Sequence, residues 1–321
     1  MTEPARMASL PLLLTVTWSG DRAHFALLRE SLKRSALADC PHLVIVHDED
    51  LPLFKAFREP GLTLCSSAAV LPALVERRRF CARRQQERWG RRATTVAGSL
   101  ARRFGWPRWV RYTGWHTQQL CKLAAVAGSD ARTVVAMDSD LIVTPHARVE
   151  DFLPARPDHI LCYEDWQPAE ALSRKVEHWQ TTACRLLDLP LPEGDKRDVY
   201  YDTPFVFDVQ ALQSLLGWLD ERYGRPWWET LIDCPPRQWS EFGLYRAWLR
   251  HRFQGQVEWT DRSRAGYLYD ASDADQLARE LRELVEARRC HYVTIHSQSN
   301  GRHDWHPDDY ADQVRALLSG A

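Results

Sequence analysis

Two aspartates stand one residue apart inside an apolar run, "TVVAMDSDLIVTP", residues 133 to 145. Carboxylates are rarely buried unless they are paired or bind a cation, so Asp138 and Asp140 need a physical reason to be there. Val134 to Met137 read as a buried strand, and Leu141 to Val143 resume it. The period of two along an extended chain puts both acids on the same side. Two carboxylates so placed suit a hard divalent cation, which in turn neutralises a diphosphate. The alternative, two acids capping a loop or a following helix, does not explain why hydrophobic residues continue on both sides.

The elements around this pair alternate. "LPLLLTVTWSGD" reads as a strand ending in a polar turn, "DRAHFALLRESLKRSAL" as a helix, and "HLVIVHDED" as a second strand with acids at its C-terminal end. "LPLFKAF" begins a short helix and "GLTLCSS" a third strand. "GWHTQQLCKLAAVAG" is a helix with a glycine stop that feeds directly into the aspartate-bearing strand. Beyond residue 150 the pattern is less regular. "HILCYED", "TPFVFDV" and "HYVTIHS" read as strands, and "VQALQSLLGWLDERYG", "SEFGLYRAWLRHRF" and "DDYADQVRALLSG" as helices. Such alternation predicts an α/β sandwich with a mostly parallel sheet. Ligands of open α/β sheets collect at the C-terminal ends of the strands, where Asp138 falls.

Composition narrows the class. The 321 residues are 45% hydrophobic and 26% charged, ordinary for a soluble globular protein. Fourteen tryptophans lean towards a carbohydrate or nucleotide ligand, because indole is a common platform beneath sugar rings and bases. The eight cysteines form no C-x-x-C pair, which points to reduced thiols and a cytoplasmic location rather than a disulfide framework or a zinc knuckle. The apolar run "LPLLLTV" is too short to span a bilayer and lacks a small-residue cleavage site, so it is expected to be a strand.

The net charge of −1 is unevenly spread: residues 77 to 111 carry twelve arginines and one acid, +11, and the remainder carries −12. An anionic partner or a solvated helix both account for that segment. Peripheral association with an anionic membrane is one expectation. No nucleic-acid-binding motif accompanies it, so nucleic acid is not expected as a partner.

These blocks together resemble a known family. "TWSGDRAHFALLRESLKR", "HLVIVHDEDLPLFKAF", "GWHTQQLCKL", "YYDTPFVFD" and "SEFGLYRAWL" look like a bacterial group of glycosyltransferase-like proteins of unknown function. More distantly, "GWHTQQLCKLAAVAGSDARTVVAMDSDLIVTP" resembles the glycogenin-type transferases of the GT-A fold. The resemblance implies a Rossmann-like, mixed and mostly parallel sheet flanked by helices, as one continuous domain over residues 1–321. A nucleotide-sugar and metal half would occupy about 9–150 and an acceptor half about 151–321. The implied activity is metal-dependent transfer of a sugar from a nucleotide diphosphate sugar to a hydroxyl of a glycan or lipid-linked acceptor, a cell-surface or capsular glycan among them.

Site residues follow from the same resemblance. Thr17 and Trp18 would sit by the nucleotide base, and Gln119 and Lys122 would reach the nucleotide sugar. Asp138 and Asp140 would bind manganese or magnesium, Asp138 also lying near the ribose, and His296 in "VTIHSQSNG" would be the late metal ligand. Asp202 and Thr203 would contact the acceptor sugar. Glu241 is the candidate general base, with helix-start chemistry as its alternative, and Tyr245 would share its face one turn on. The sequence departs from the glycogenin-type pattern at "HSQSNGRHDWHP", where Gly301 and Arg302 stand without the expected lysine. His291, His303 and His306 crowd the same stretch at no zinc-signature spacing, and packing is expected of them.

Two rivals remain. A haloacid-dehalogenase-type phosphatase also ends a strand in Asp-x-Asp, with Asp138 as nucleophile and Asp140 as acid–base. That family continues with Gly-Thr, whereas Leu141 and Ile142 follow here. A non-catalytic module with a retained nucleotide pocket is the other.

Overall fold

The computed structural model describes residues 10–104, 114–235, 237–261, 264–268, 273–295 and 306–319. The chain opens with β1 (Leu12–Val16), α1 (Arg22–Lys33), β2 (His42–Val46) and β3 (Leu62–Ser66). The long α2 (Ala73–Phe104) is broken at Gly90, whose φ of 78° lies in the left-handed region that favours glycine. Next come α3 (Gly114–Ala127), β4 (Thr133–Ala136), β5 (Leu141–Val143), β6 (Ile160–Glu164) and β7 (Trp166–Pro168). The second half adds α4 (Arg174–Leu187), β8 (Lys196–Asp198), β9 (Phe205–Asp208), α5 (Val209–Tyr223), α6 (Trp227–Ile232) and α7 (Glu241–Arg252). It closes with β10 (Val257–Asp261), β11 (Ala265–Leu268), α8 (Ala274–Arg282), β12 (Tyr292–Ile295) and α9 (Ala311–Ser319).

The central sheet has the order β3-β2-β1-β4-β9. Its first four strands run parallel and β9 pairs antiparallel with β4. Leu13, Leu14, Thr15 and Val16 are all buried, as a parallel strand covered on both faces requires. A mostly parallel sheet flanked by helices is therefore the architecture, as the alternating pattern predicts.

The apolar run around the two aspartates does not behave as one strand. β4 belongs to the central sheet, whereas β5 pairs antiparallel with β12 in a separate sheet of order β11-β12-β5. Residues 138–140 are the crossing between the sheets. Two separate apolar cores explain why hydrophobic residues flank the acids on both sides. Leu141 and Val143 face the main core, which draws on residues from Leu13 to Tyr292. Ile142 faces a second core with Leu27, Leu277, Leu281, Val293 and Val314. α1 seals the seam, with Leu28 in one core and Leu27 in the other, and Ser31 Oγ accepts the Val143 amide at 3.1 Å. Among the described residues no helix is long and apolar enough to cross a membrane.

Beneath this seam His42 is sealed between α1 and β1. Arginine has only donors, so the 2.9 Å contact from Arg29 Nη1 makes His42 Nδ1 an acceptor. The Nε2 proton then goes to Thr15 Oγ1, 2.9 Å away. Burial, aided by the Arg29 charge, pushes the imidazole from its ordinary 6.5 down to about 3. Between those two values the unfolded chain binds the extra proton, so the stability contributed by neutral His42 is present above 6.5 and lost as pH falls towards 3. Urea unfolding measured between neutrality and mild acid should lose stability with a slope approaching about 1.4 kcal/mol per pH unit from this residue. His42→Gln, which keeps one donor and one acceptor, should flatten that slope; an unchanged slope would remove His42 from the account.

Candidate functional site

The crossing is held open by backbone bonds. The Leu141 amide donates to the Asp138 carbonyl at 3.2 Å, and the Asp138 amide donates to Thr203 Oγ1 at 3.3 Å. The Asp140 carbonyl accepts from the Ile295 amide at 3.1 Å, which ties the end of β12 to the same turn. His296, next in the chain, lies outside the described residues, as does His303. The Asp138 side chain remains 36% exposed, so its carboxylate is accessible from one side.

From the other side it is gripped. Lys122 is fully enclosed on α3, and its Nζ lies 2.9 Å from Asp138 Oδ1, 3.2 Å from Glu241 Oε1 and 4.8 Å over the Phe242 ring. Burial alone would lower an ammonium, but Asp138 and then Glu241 outweigh it, so Lys122 is held above its ordinary value and charged. Burial pushes the Glu241 carboxyl up, against the opposing pull of Lys122. The ammonium is thus turned on two protein carboxylates, Asp138 and Glu241. Desolvation is the reason, since an ammonium in this interior needs paired charge.

Glu241 occupies the first turn of α7, with Ser240 as its cap accepting the Gly243 amide. The sequence-level alternative of helix-start chemistry is therefore realised in the fold, and the carboxylate additionally meets Lys122. Gln119, one turn before Lys122 on α3, accepts the Glu241 amide through Oε1 at 3.2 Å. Its Nε2 is buried without a partner among the described residues. His116, a turn earlier, donates from Nε2 to the Cys234 carbonyl at 3.0 Å, and burial lowers it to about 4. Tyr245 takes no part in the site: its hydroxyl accepts the Asp208 amide at 2.9 Å in the core.

A third acid joins the pair, one that the sequence reading passed over. Asp21 follows the end of β1, and its carboxyl is raised to about 6, first by burial and then by Asp140 and Asp138. Trp18 Nε1 donates to Asp21 Oδ2 at 2.8 Å, while much of the indole stays exposed. The ring lies so close over Gly20 that a Cβ there would stand 2.4 Å from it, which explains the glycine. Ser19 N donates to Asp50 Oδ2 at 2.9 Å, pinning this loop to the end of β2. Thr17 is buried, its Oγ1 without a partner among the described residues. In sequence, Asp21 reads as an ordinary helix start, yet its side chain makes no cap bond.

On the acceptor side of the expected site, Thr203 reaches Asp138, and Asp202 lies near Lys175, whose ammonium is lowered chiefly by burial. Lys175 Nζ sits 4.6 Å over the Trp179 ring. Among the described residues no three His, Cys, Asp or Glu side chains are grouped to hold a metal ion by themselves.

Three solved structures align with most of this chain. The galactosyltransferase LgtC, in complex with donor and acceptor sugar analogues, aligns at 10% identity and a TM-score of 0.41, covering 96% of this chain and 95% of that one. The bifunctional glycosyltransferase WbbM aligns at 10% identity and a TM-score of 0.43, covering 97% of this chain and 50% of that one. The glycosyltransferase GlyE of Streptococcus pneumoniae aligns at 11% identity and a TM-score of 0.42, covering 96% of this chain and 63% of that one. Among curated proteins nothing matches. A family model does match, over residues 7–268, which takes in β1, both aspartates, Lys122 and Glu241. The chain belongs to that family, DUF6492, a family of unknown function.

Proposed function

We propose that the chain is a metal-dependent glycosyltransferase that moves a sugar from a nucleoside diphosphate to an acceptor hydroxyl. The observation that carries this reading is the pair Asp138 and Asp140 on the crossing between two sheets, at the C-terminal edge of the parallel strands, with Lys122 holding Asp138 from behind. Ligands of such sheets bind at that edge. The donor atoms offered there are carboxylate oxygens, which fit magnesium or manganese better than softer metals. Such ions are commonly held by one or two carboxylates with the remaining positions filled by substrate phosphates, so a protein cage of three ligands is not required. When bound, the cation would offset charge on the leaving nucleoside diphosphate.

The chain's own residues divide the remaining work. Lys122 occupies Asp138 Oδ1, which fixes the carboxylate and leaves its second oxygen to the ligand side. Trp18 offers an exposed flat ring at the end of β1 for the base. Glu241 is assigned to positioning: buried against Lys122, it holds the ammonium on Asp138 rather than reaching an acceptor hydroxyl. Asp202 and Thr203 are assigned to the acceptor side, where Thr203 Oγ1 also accepts the Asp138 amide.

Thermal denaturation tests the donor and metal together. A matching nucleoside diphosphate sugar with manganese should stabilise the protein by about 2.7 kcal/mol at a hundredfold excess over Kd. Asp140→Ala should remove that stabilisation and leave the unliganded melting temperature nearly unchanged. Equal stabilisation without metal, or in the variant, would contradict the site. Phosphate release from generic phosphoesters would favour the phosphatase reading.

Lys122 and Glu241 are separated by stability and pH profiles. Lys122→Met leaves carboxylates unpaired in the interior and should cost about 3–5 kcal/mol in urea unfolding. Glu241→Gln should lower stability, reduce turnover by less than tenfold, and keep the acidic limb of the kcat/KM profile. Loss of that limb, with a fall of roughly 10²–10⁴-fold in transfer, would instead make Glu241 the general base.

A further inference from the structure

The arginine-rich α2 supplies no residue to the proposed site. Its packed side is set by Val75 and Arg79: Val75 is in the main core, and Arg79 bonds Glu49 at 2.8 Å and 3.0 Å and Glu76 at 2.9 Å. At 3.6 residues per turn, Phe80, Arg84, Arg77, Arg88, Cys81 and Leu74 fall within an arc of about 120° opposite that side. All six are exposed. No acid falls in the arc: Glu76 packs inward, and Glu87 lies outside it, bonded to Arg83 at 2.9 Å.

A merely solvated basic helix is expected to carry acids four residues from its arginines, and to keep large apolar side chains inside. This face does neither. Phe80 is 52% exposed with the Arg84 guanidinium 5.7 Å over its ring, and Leu74 closes the arc at its other edge. Val96 and Leu100, further along the same helix, are exposed as well.

We propose that α2 docks the protein on the surface of an anionic lipid bilayer. Arg77, Arg84 and Arg88 meet the headgroups, and Phe80 and Leu74 enter the boundary with the acyl chains. Charge complementarity supports lipid and also sets the orientation. Arg77, Arg84 and Arg88 stand exposed on a face that carries no acid, and the sequence outside residues 77–111 sums to −12, so an anionic surface attracts this face. Exposed aliphatic side chains beside the arginines gain from a hydrocarbon boundary and nothing from a nucleic-acid backbone. The helix is rooted at the C-terminal edge of the parallel sheet, through the Arg79 bonds to Glu49 just after β2. Docking therefore sets that edge, which bears Asp138 and Asp140, on the bilayer side of the molecule.

Co-sedimentation with vesicles tests the proposal without donor, metal or any measure of transfer, so its failure is distinct from failure of the glycosyltransferase reading. The intact chain should bind phosphatidylcholine vesicles containing phosphatidylglycerol, bind pure phosphatidylcholine far less, and be released by salt. Replacing Arg77, Arg84 and Arg88 together with Ala should weaken partitioning roughly a hundredfold. The same three positions changed to Lys should restore it, which excludes misfolding as the cause. Phe80→Ser should weaken binding at every salt concentration while leaving the salt dependence unchanged. Binding that ignores lipid charge, or that survives the triple Ala variant, overturns the proposal. Competition by RNA that binds this face more tightly than the vesicles would overturn it in favour of a nucleic-acid partner.

Discussion

A single ammonium inside the protein constrains much of what surrounds it. Lys122 is nearly inaccessible to water, and an unpaired charge there would carry a desolvation cost of several kcal/mol. Two carboxylates from distant parts of the chain offset it, Asp138 at the end of β4 and Glu241 at the start of α7. The three groups carry one positive and two negative charges when fully ionised, and Asp138 is the partner that still meets solvent. Phe242 adds a third contact with its ring face, and Gln119 holds the Glu241 backbone in place. Three elements are thereby locked in register around Asp138, whose carboxylate stays partly exposed.

That lock matters because of where Asp138 stands. The chain leaves the central sheet at Ala136 and joins a different sheet at Leu141. Each strand must bury its own side chains, so the few residues between them are the place where polar groups can be carried without breaking either core. Strand ends from both sheets meet there, and Asp138 and Asp140 lie within electrostatic reach of Asp21. The raised Asp21 carboxyl reflects that crowding as well as its burial. Lys122 offsets Asp138 from the protein side, and a cation on the open side would offset the remaining negative charge, which links the fold to the proposed chemistry.

Much of this was legible in the residues, and the exceptions have definite causes. The parallel sheet followed from apolar runs alternating with helical spacing, and the β4 exit followed from two acids in a greasy segment. Gln119 and Lys122 were marked by the family resemblance. Their partner was not, because Glu241 is more than a hundred residues away and its Ser-Glu context reads equally well as a cap. Asp21 was hidden by the same ambiguity. Consecutive apolar residues also carry no information about which sheet they join, so β4 and β5 read as one strand although they belong to two. The expected late histidine, His296, lies outside the described residues and follows directly on the bond from Ile295 to Asp140.

The proposed chemistry depends on Asp138 and Asp140 presenting their carboxylates to a cation that meets a nucleoside diphosphate. Crystals grown with manganese and a nucleoside diphosphate test it most directly, through anomalous scattering measured at the manganese edge. One strong peak is expected within coordination distance of Asp138 and Asp140 and of the diphosphate oxygens, with Lys122 still on the opposite oxygen of Asp138. A diphosphate bound elsewhere, or a peak that touches neither aspartate, would contradict it.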